Sequence, residues 1–218
     1  CKPWYSPKGL FDKIIKMKNM MKSDSVGEMY DSLISFFNYN DLKKLLGHSK
    51  KNKIIESNNI NQLTTITDSL NYLPGDILTK VDRSSMFYSL EAREPFLDQR
   101  IITFSASLPF SQKFNGKEKK LILKKLLEGY LPKDIIYRKK KGFSVPMDKW
   151  LHGALKPMVS KYLNEKKLNE HGILNTKFVL KLVDDYYRNI GINSHKIWFL
   201  LVFQLWYEEW GLDTKEGL

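Results

Sequence analysis

A short segment between positions 76 and 98 carries charged side chains of both signs among residues that favour a protein core. The charged members are Asp76, Lys80, Asp82, Arg83, Glu91, Arg93 and Asp98. Burying a charge costs free energy unless the charge has a partner. The segment therefore forms either a solvated surface or one wall of a site that binds charged ligands.

A helix that begins at Asp76 would bring several of these groups together. Pro74-Gly75 predicts a break in the preceding element, and Asp76 suits the N-cap of a new helix. At about 100° per residue, an arc of roughly 80° would hold Asp76, Lys80, Arg83, Phe87 and Glu91. An amphipathic helix with a salt-bridged outer face explains the same pattern. Helical spacing alone therefore does not decide between a ligand-binding site and a solvated helix face.

Two further motifs complete a family pattern. The first is Glu91-Ala-Arg-Glu-Pro-Phe-Leu-Asp98, and the second is Tyr137-Arg-Lys-Lys-Lys-Gly-Phe-Ser-Val-Pro-Met-Asp-Lys-Trp150. Together with Lys80-Val-Asp-Arg83, their order and spacing resemble the C-terminal synthetase domain of glutamine-dependent asparagine synthetases. The resemblance is dense from about Asp68 to Leu151. Glu94 departs from it, because the family usually has an apolar residue at that position.

The resemblance implies a fold class that is mainly α. It corresponds to the helical C-terminal portion of an α/β adenine-nucleotide α-hydrolase-like synthetase domain, without the nucleotide-binding sheet and the glutaminase domain. The family's Ser-Gly-Gly-x-Asp-Ser and Gly-Glu-Gly-x-Asp-Glu loops do not occur in this sequence. The run from Gly47 to Lys53 also lacks the second glycine and the ending of a phosphate loop. We therefore expect a fragment of a longer enzyme that is inactive alone and binds no cofactor alone.

The resemblance also implies a reaction that uses ATP and Mg²⁺ in the full-length enzyme. The side-chain carboxylate of aspartate attacks the α-phosphate of ATP, which forms an acyl-adenylate and releases pyrophosphate. Ammonia from glutamine then displaces AMP to give asparagine. A fixed cation that binds the transition state more tightly than the ground state lowers such barriers. Lys140 matches the lysine of the family's Arg-x-Lys-x-Gly-Phe motif and is the expected catalytic residue.

Further residues are expected to contact substrate or nucleotide. This binding set consists of Asp76, Lys80, Arg83, Glu91, Arg138 and Gly142. Gly142 would permit close approach of the backbone to a ligand. Arg93, Pro95 and Asp98 are expected to hold the loop that shapes the site, with an internal Arg93–Asp98 pair as one arrangement. A bidentate clamp on a carboxylate or phosphate by Arg83 and Arg93 stays open as the alternative.

The sequence also does not decide which carboxylate accepts the ammonia or which partners the chain binds. A same-family amidotransferase could act on a sugar acid of a surface polysaccharide or close a lactam. A basic helical module for nucleic acid or another partner is a third class, because the net charge is +12 and the pI is about 9.5. No zinc-finger or aromatic RNA-binding motif accompanies this charge, so nucleic acid is not favoured. The resemblance adds ATP, aspartate, ammonia and an N-terminal part of the same chain as partners, and leaves a homodimer open.

Composition fits a cytoplasmic, soluble fragment, and we expect no membrane span and no metal site. The longest apolar run, Ile197 to Tyr207, is shorter than the roughly 20 residues of a membrane helix. One cysteine excludes an intrachain disulfide. Cys1 resembles the N-terminal nucleophile of a glutaminase, but no glutaminase sequence follows it, so it is not a catalytic candidate. The four histidines, His48, His152, His171 and His195, lack metal-ligand spacing.

Apolar residues at three- and four-residue spacing predict an almost entirely helical chain. The expected helices are Gly9 to Lys22, Ser25 to Phe37, Asp41 to Leu46, Ile60 to Tyr72, Asp76 to Leu90, Gln99 to Leu108, Lys117 to Tyr130, Gly153 to Leu163, Thr176 to Arg188 and Ser194 to Trp210. We expect one helical piece over residues 1–218, with a lead-in (1–67), a motif core (68–151) and C-terminal helices (152–218). This piece would flank the parallel sheet of an intact synthetase.

Overall fold

The computed structural model describes residues 17–18, 20–21, 23–48, 59–139 and 145–211. Two compact units are present. The first, called the core unit, comprises Cys1–Asn58 and Ser144–Leu218, and the second, called the motif unit, comprises Asn59–Phe143. The expected division at residues 67 and 151 stays a prediction.

Helices are the only regular elements in the described residues, which confirms the mainly α fold class. They are α1 (Val26–Ile34), α2 (Tyr39–Leu46), α3 (Ile60–Thr67), a π-helical segment (Asp68–Leu78), α4 (Thr79–Met86), a 3₁₀ turn (Pro95–Leu97), α5 (Gln99–Ser107), α6 (Phe110–Lys113), α7 (Leu121–Leu127), α8 (Lys133–Ile136), α9 (Met147–His152), α10 (Lys156–Tyr162), α11 (Glu165–His171), α12 (Thr176–Tyr187), α13 (Ser194–Trp206) and a π-helical turn (Tyr207–Gly211). One isolated β-bridge joins Phe114 and Lys119. Within the described ranges, no helix is long and apolar enough to cross a membrane.

Side-chain caps define where the helices of the core unit begin. Asn38 caps α2, Asn175 caps α12 and Asn193 caps α13, each by accepting a hydrogen bond from a backbone N–H in the first turn. At the other end, Gly47 and Gly172 terminate α2 and α11 in the left-handed conformation that glycine adopts without a Cβ clash. These signals are local, so the predicted ends near Leu46 and Thr176 lie close to the observed ends.

Helix α13 is the centre of the core unit. It contacts α9, α10 and α12, and Ile197 and Leu201 on its inner face are fully buried. Helix α2 is attached to this core by Lys196, whose Nζ lies 2.6 Å from Asp41 Oδ2. The backbone N–H of Asn175 also donates to the carbonyl oxygen of Leu45 at 2.7 Å. Burial of apolar area against α13 therefore holds together segments that are distant in sequence.

The motif unit begins differently from the prediction. The break expected at Pro74-Gly75 is wrong, because α3, the π-helical segment and α4 follow one another without a gap. Proline lacks an N–H and disrupts the α-helical hydrogen-bond pattern, and here the chain takes the wider π-helical turn around it. The hydroxyl of Thr79 donates to the carbonyl oxygen of Pro74 at 2.7 Å. Asp76 is therefore inside a helical segment and is not an N-cap.

Helix α4 is also shorter than predicted. It ends at Met86, and Ser89 has a φ of 57°, which places it in the left-handed region. The chain beyond this point is no longer helical, so Glu91 does not share a helix face with Asp76 and Lys80. A similar effect shortens the predicted Lys117 to Tyr130 helix: Lys120 has a φ of 59°, and α7 begins only at Leu121.

The motif unit buries almost none of its apolar side chains. Leu63 is its one buried hydrophobic residue within the described range 59–139. By contrast, the side chains of Phe87 and Tyr130 are 81% and 77% exposed. Other exposed apolar side chains are Leu70, Tyr72, Met86, Tyr88, Leu90, Phe96 and Phe104. Apolar surface of this extent is unusual for an independent domain and is typical of a surface that packs against another part of a protein.

Candidate functional site

The structure pairs the first two charged residues of the motif unit with each other. Lys80 Nζ lies 2.7 Å from Asp76 Oδ1, in the i,i+4 arrangement that the sequence allows. The hydrogen bond that Lys80 donates to Asp76 raises the pKa of the Lys80 ammonium. Both side chains are solvent-exposed, so the pair is a weak contribution to stability. It nevertheless presents one cation and one anion on the same surface.

Arg83 lies one turn further along α4 and is exposed. Among the residues that the structure describes, it takes part in no ion pair. A guanidinium in this state is free to bind a carboxylate or phosphate with two parallel hydrogen bonds. Arg83 therefore keeps its place as a candidate ligand-binding residue.

The Glu91–Asp98 loop contains two ion pairs, and neither is the expected Arg93–Asp98 pair. Arg93 instead pairs with Glu91, with Nε–Oε1 and Nη2–Oε2 distances of 3.0 and 3.3 Å. Asp98 pairs with Arg100 at 2.9 Å and caps α5 through the backbone N–H of that residue. Pro95 opens the 3₁₀ turn between them. The suggested Arg93–Asp98 pair was wrong, because Arg93 forms a two-point contact with Glu91 instead.

These contacts have electrostatic consequences. The hydrogen bonds from Arg100 lower the pKa of Asp98, and the same contact raises the pKa of Arg100. Asp98 therefore stays ionised and acts as a structural cap. Glu91 pairs with Arg93, but both side chains are exposed and such surface pairs are weak, so the expected role of Glu91 in substrate binding stays a prediction.

A cavity of about 440 Å³ lies between the π-helical segment, α4 and this loop. Its lining residues are Pro74, Leu78, Thr79, Val81, Asp82, Ala92, Glu94 and Leu97. Two of the three family motifs thus contribute to one concave surface. Glu94, the residue that departs from the family pattern, is one of two carboxylates in the lining. The predicted site residues Asp76, Lys80 and Arg83 neighbour this cavity in sequence but do not line it.

The third family motif is described only in part. Lys140 and Gly142 lie outside the described residues, and so does Cys1. Arg138 is described, and its side chain is exposed just after α8. Within the described ranges, no group of three or more His, Cys, Asp or Glu side chains could hold a metal ion. The roles of Lys140 and Gly142 therefore stay predictions.

Tyr137, immediately before Arg138, is anchored by side chains that sequence reasoning did not single out. Its hydroxyl donates to Glu128 Oε1 at 2.6 Å. The ammonium of Lys124 lies 4.8 Å from the centre of the Tyr137 ring, and Lys124 also pairs with Glu118. The hydrogen bond to Glu128 raises the pKa of the Tyr137 hydroxyl. This set of contacts, here called the tyrosine anchor, consists of Glu118, Lys124, Glu128 and Tyr137.

Comparison with known proteins identifies the class to which this chain belongs. The family model for asparagine synthase matches residues 9–208. The chain is a member of the asparagine synthase family, which the sequence motifs predicted. No solved structure matches it.

Several asparagine synthetases are similar to the chain over part of their length. Asparagine synthetase [glutamine-hydrolyzing] 1 of Bacillus subtilis (strain 168) is 34% identical over 136 residues, which cover 62% of this chain and 21% of that protein. The putative asparagine synthetase [glutamine-hydrolyzing] of Mycobacterium tuberculosis (strain ATCC 25618 / H37Rv) is 30% identical over 140 residues, which cover 64% of this chain and 21% of that protein. The matched region thus spans about one fifth of the length of these relatives.

Proposed function

We propose that this chain is the C-terminal part of an ATP-dependent, glutamine-hydrolysing asparagine synthetase. The observation that carries the proposal is the family match over residues 9–208, within which three motifs occur in the family's order. The substrates would be aspartate, ATP and glutamine, and the products asparagine, AMP, pyrophosphate and glutamate. A cytoplasmic location accompanies this proposal, supported by the single cysteine and by the nature of the substrates.

The uncovered apolar side chains of the motif unit support the view that the chain works within a larger protein. An independent domain of this size normally buries a substantial core, whereas Leu63 is the one buried hydrophobic residue among the described residues of this unit. Relatives several times longer supply the additional chain that could cover such a surface. We propose that the remainder of the synthetase packs there and that the chain alone does not turn over.

In the proposed reaction, Lys140 is the catalytic cation. Its ammonium would stabilise the charge that develops on phosphate oxygens as the acyl-adenylate forms and on the oxyanion when ammonia attacks. Arg138 would bind the same anions, and Gly142 would allow close backbone approach. Of the two cations that the structure describes in α4, Lys80 is paired with Asp76, so Arg83 is the one proposed to bind substrate.

ATP and Mg²⁺ are the proposed cofactors of the full-length enzyme. Bound Mg²⁺ neutralises phosphate charge and polarises the reacting phosphoryl group. This sequence contains no Ser-Gly-Gly-x-Asp-Ser loop, and the described residues form no carboxylate cluster suited to a metal. We propose that the phosphate loop and the Mg²⁺ ligands come from elsewhere in the protein, while Lys140 and Arg138 add cations to the site. A homodimer stays open.

The test is the release of pyrophosphate by the full-length protein with ATP and glutamine in the presence of different carboxylates. We expect release that depends on aspartate, together with formation of asparagine. Pyrophosphate release that depends on a sugar acid, or on a substrate able to form a lactam, would support the ligase chemistry. It would show that the substrate that is amidated is not aspartate. If no carboxylate supports release of pyrophosphate, the proposed function is wrong.

A further inference from the structure

Helix α13 and the turn that follows it leave a row of aromatic side chains uncovered. This row, here called the aromatic stripe, consists of Phe199, Trp206 and Trp210, which are 43%, 55% and 62% exposed. Spacings of seven and four residues place the three side chains on one side of a helix, opposite the buried Ile197 and Leu201. At about 1.5 Å per residue, the stripe extends over roughly 16 Å.

The exposure of the aromatic stripe does not come from a lack of packing in the core unit. The inner face of α13 belongs to one buried cluster with side chains of α9, α10, α11 and α12, among them Leu151, Val159, Leu168 and Leu182. From Ile197 to Trp206 the helix contains a single polar residue, Gln204. A helix that is apolar on all sides is normally covered on all sides. Helix α13 therefore has a second apolar face that no part of the described chain covers.

Neighbouring rings support both ends of the stripe. The ring of Phe203, which packs partly against the core, has its centre 6.1 Å from that of Trp206. The ring of Phe36, two residues after α1, has its centre 5.2 Å from that of Phe199. Aromatic rings at such distances attract one another. Supported tryptophan and phenylalanine rings lose little conformational entropy on binding, and tryptophan is enriched among the residues that dominate protein interfaces.

Three observations favour the remainder of the full-length protein as the partner of this face. The matched region is only 21% of the length of each of the two relatives described above, so most of such a protein lies outside it. A second copy of the chain is disfavoured, because each copy has a net charge of +12 and like charges oppose association. The stripe itself contains no charged residue, which is typical of the buried centre of a permanent interface.

We propose that the aromatic stripe is a docking surface on which the remainder of the full-length protein places an apolar face across Trp206 and Trp210. The inference rests on the proposed function, because that remainder is the rest of the proposed synthetase. The stripe belongs to the core unit, whereas the exposed apolar side chains discussed under the proposed function belong to the motif unit. The remainder would therefore contact each of the two units.

The test is photochemical cross-linking within the full-length protein. Trp206→p-benzoylphenylalanine keeps an aromatic side chain at the position and adds a photoreactive ketone. After irradiation and digestion, we expect a cross-linked peptide that lies outside the 218 residues of this chain. The matched control places the same amino acid at Lys166 of α11, in the same unit, where the side chain is 85% exposed. There we expect loss of that cross-link.

The other results of this experiment would each overturn the inference. A cross-linked peptide inside the 218 residues would mean that the chain covers its own stripe. A covalent dimer would make a second copy the partner. If position 206 gives no cross-linked peptide, the stripe has no protein partner.

A second pair of variants tests whether the stripe itself holds the partner. With the photoreactive amino acid at position 210, Trp206→Glu should abolish the cross-link, because it places a charge without a partner in an apolar interface. Trp206→Phe should retain it. Equal cross-linking in both variants would contradict docking through the stripe.

Release of pyrophosphate by the wild-type protein, measured in parallel, separates this inference from the proposed function. An active protein without the cross-link would refute the docking surface alone. A cross-linked protein that releases pyrophosphate with no carboxylate would refute the proposed function and leave the docking surface in place.

Discussion

The hydroxyl of Tyr186 donates a hydrogen bond to Oδ1 of Asp148 at 2.9 Å, joining α12 to α9 across 38 residues of sequence. His152 Nδ1 lies 3.0 Å from the same hydroxyl. The adjacent Tyr187 hydroxyl donates to the carbonyl oxygen of Leu151 at 3.0 Å. Burial and the hydrogen bond to Asp148 raise the pKa of Tyr186, a group that is already protonated at neutral pH. Two neighbouring tyrosines therefore hold α9, the helix that contains the last residues of the third family motif.

Replacing Tyr186 by phenylalanine should weaken this attachment. The ring is fully buried, and Tyr186→Phe keeps its packing while it removes the donor to Asp148. We expect the free energy of unfolding to fall by about 1–2 kcal/mol, because the lost hydrogen bond involves a charged acceptor that is partly exposed. Chemical denaturation of the full-length protein measures the change. The control is Tyr162→Phe, for which we expect a change below about 0.5 kcal/mol, and equal effects of the two variants would contradict the account.

Truncating the centre of α13 should have a larger effect. Leu201 is fully buried in the core of this unit, and Leu201→Ala removes apolar contacts and leaves a cavity. The expected loss of stability is about 2–5 kcal/mol. The neighbouring Val202 is 40% exposed, so Val202→Ala provides a control with a much smaller effect. A similar midpoint of thermal unfolding for both variants would show that α13 is not the centre of the core.

A contact between α11 and the π-helical turn Tyr207–Gly211 predicts a pH dependence. Lys167 Nζ lies 2.8 Å from Glu208 Oε1, and this hydrogen bond lowers the pKa of Glu208. A carboxyl whose pKa is lowered by folding stabilises the protein above its unfolded pKa of about 4.3, and this contribution disappears as the pH falls through the lower folded value. Glu208→Gln should therefore destabilise the protein at pH 7 and have a diminishing effect below about pH 4.3.

Denaturation of the wild type and of Glu208→Gln across this pH range measures the difference. Glu209→Gln is the control, since Glu209 is exposed and should show no such convergence. A constant difference between the wild type and Glu208→Gln at all pH values would mean that the effect of the substitution does not arise from ionisation of the carboxylate.

The fold class was predictable from sequence because apolar spacing and caps are local features. Helix α12 was predicted to end at Arg188 and ends at Tyr187, and α5 was predicted to end at Leu108 and ends at Ser107. Short helices were missed, among them α9 and α11, because one or two turns give too few apolar repeats to show a period. Pro74 misled the prediction because a proline predicts a break, whereas here the chain accommodates it in a π-helical turn.

Side-chain partners were harder to predict than helices. Arg93 has carboxylates at positions 91, 94 and 98 within reach of its flexible side chain, and only the folded geometry selects Glu91. The Tyr137–Glu128 contact crosses from one helix end to another, so no helical spacing rule indicates it. The motifs identified the family because the order of residue types can be seen in the sequence. The side-chain pairs depend on the backbone angles of turns, which cannot be seen in the sequence.

The most direct test of the account compares two neighbouring lysines in the full-length protein. Lys140→Ala should lower kcat for aspartate-dependent release of pyrophosphate by about 10²–10³, the usual effect of removing one preorganised group that stabilises the transition state. Lys139→Ala should leave it within about twofold, because Lys139 is exposed and stands at a position that the Arg-x-Lys-x-Gly-Phe motif leaves unspecified. A rate for Lys140→Ala equal to that of Lys139→Ala would contradict the proposed mechanism.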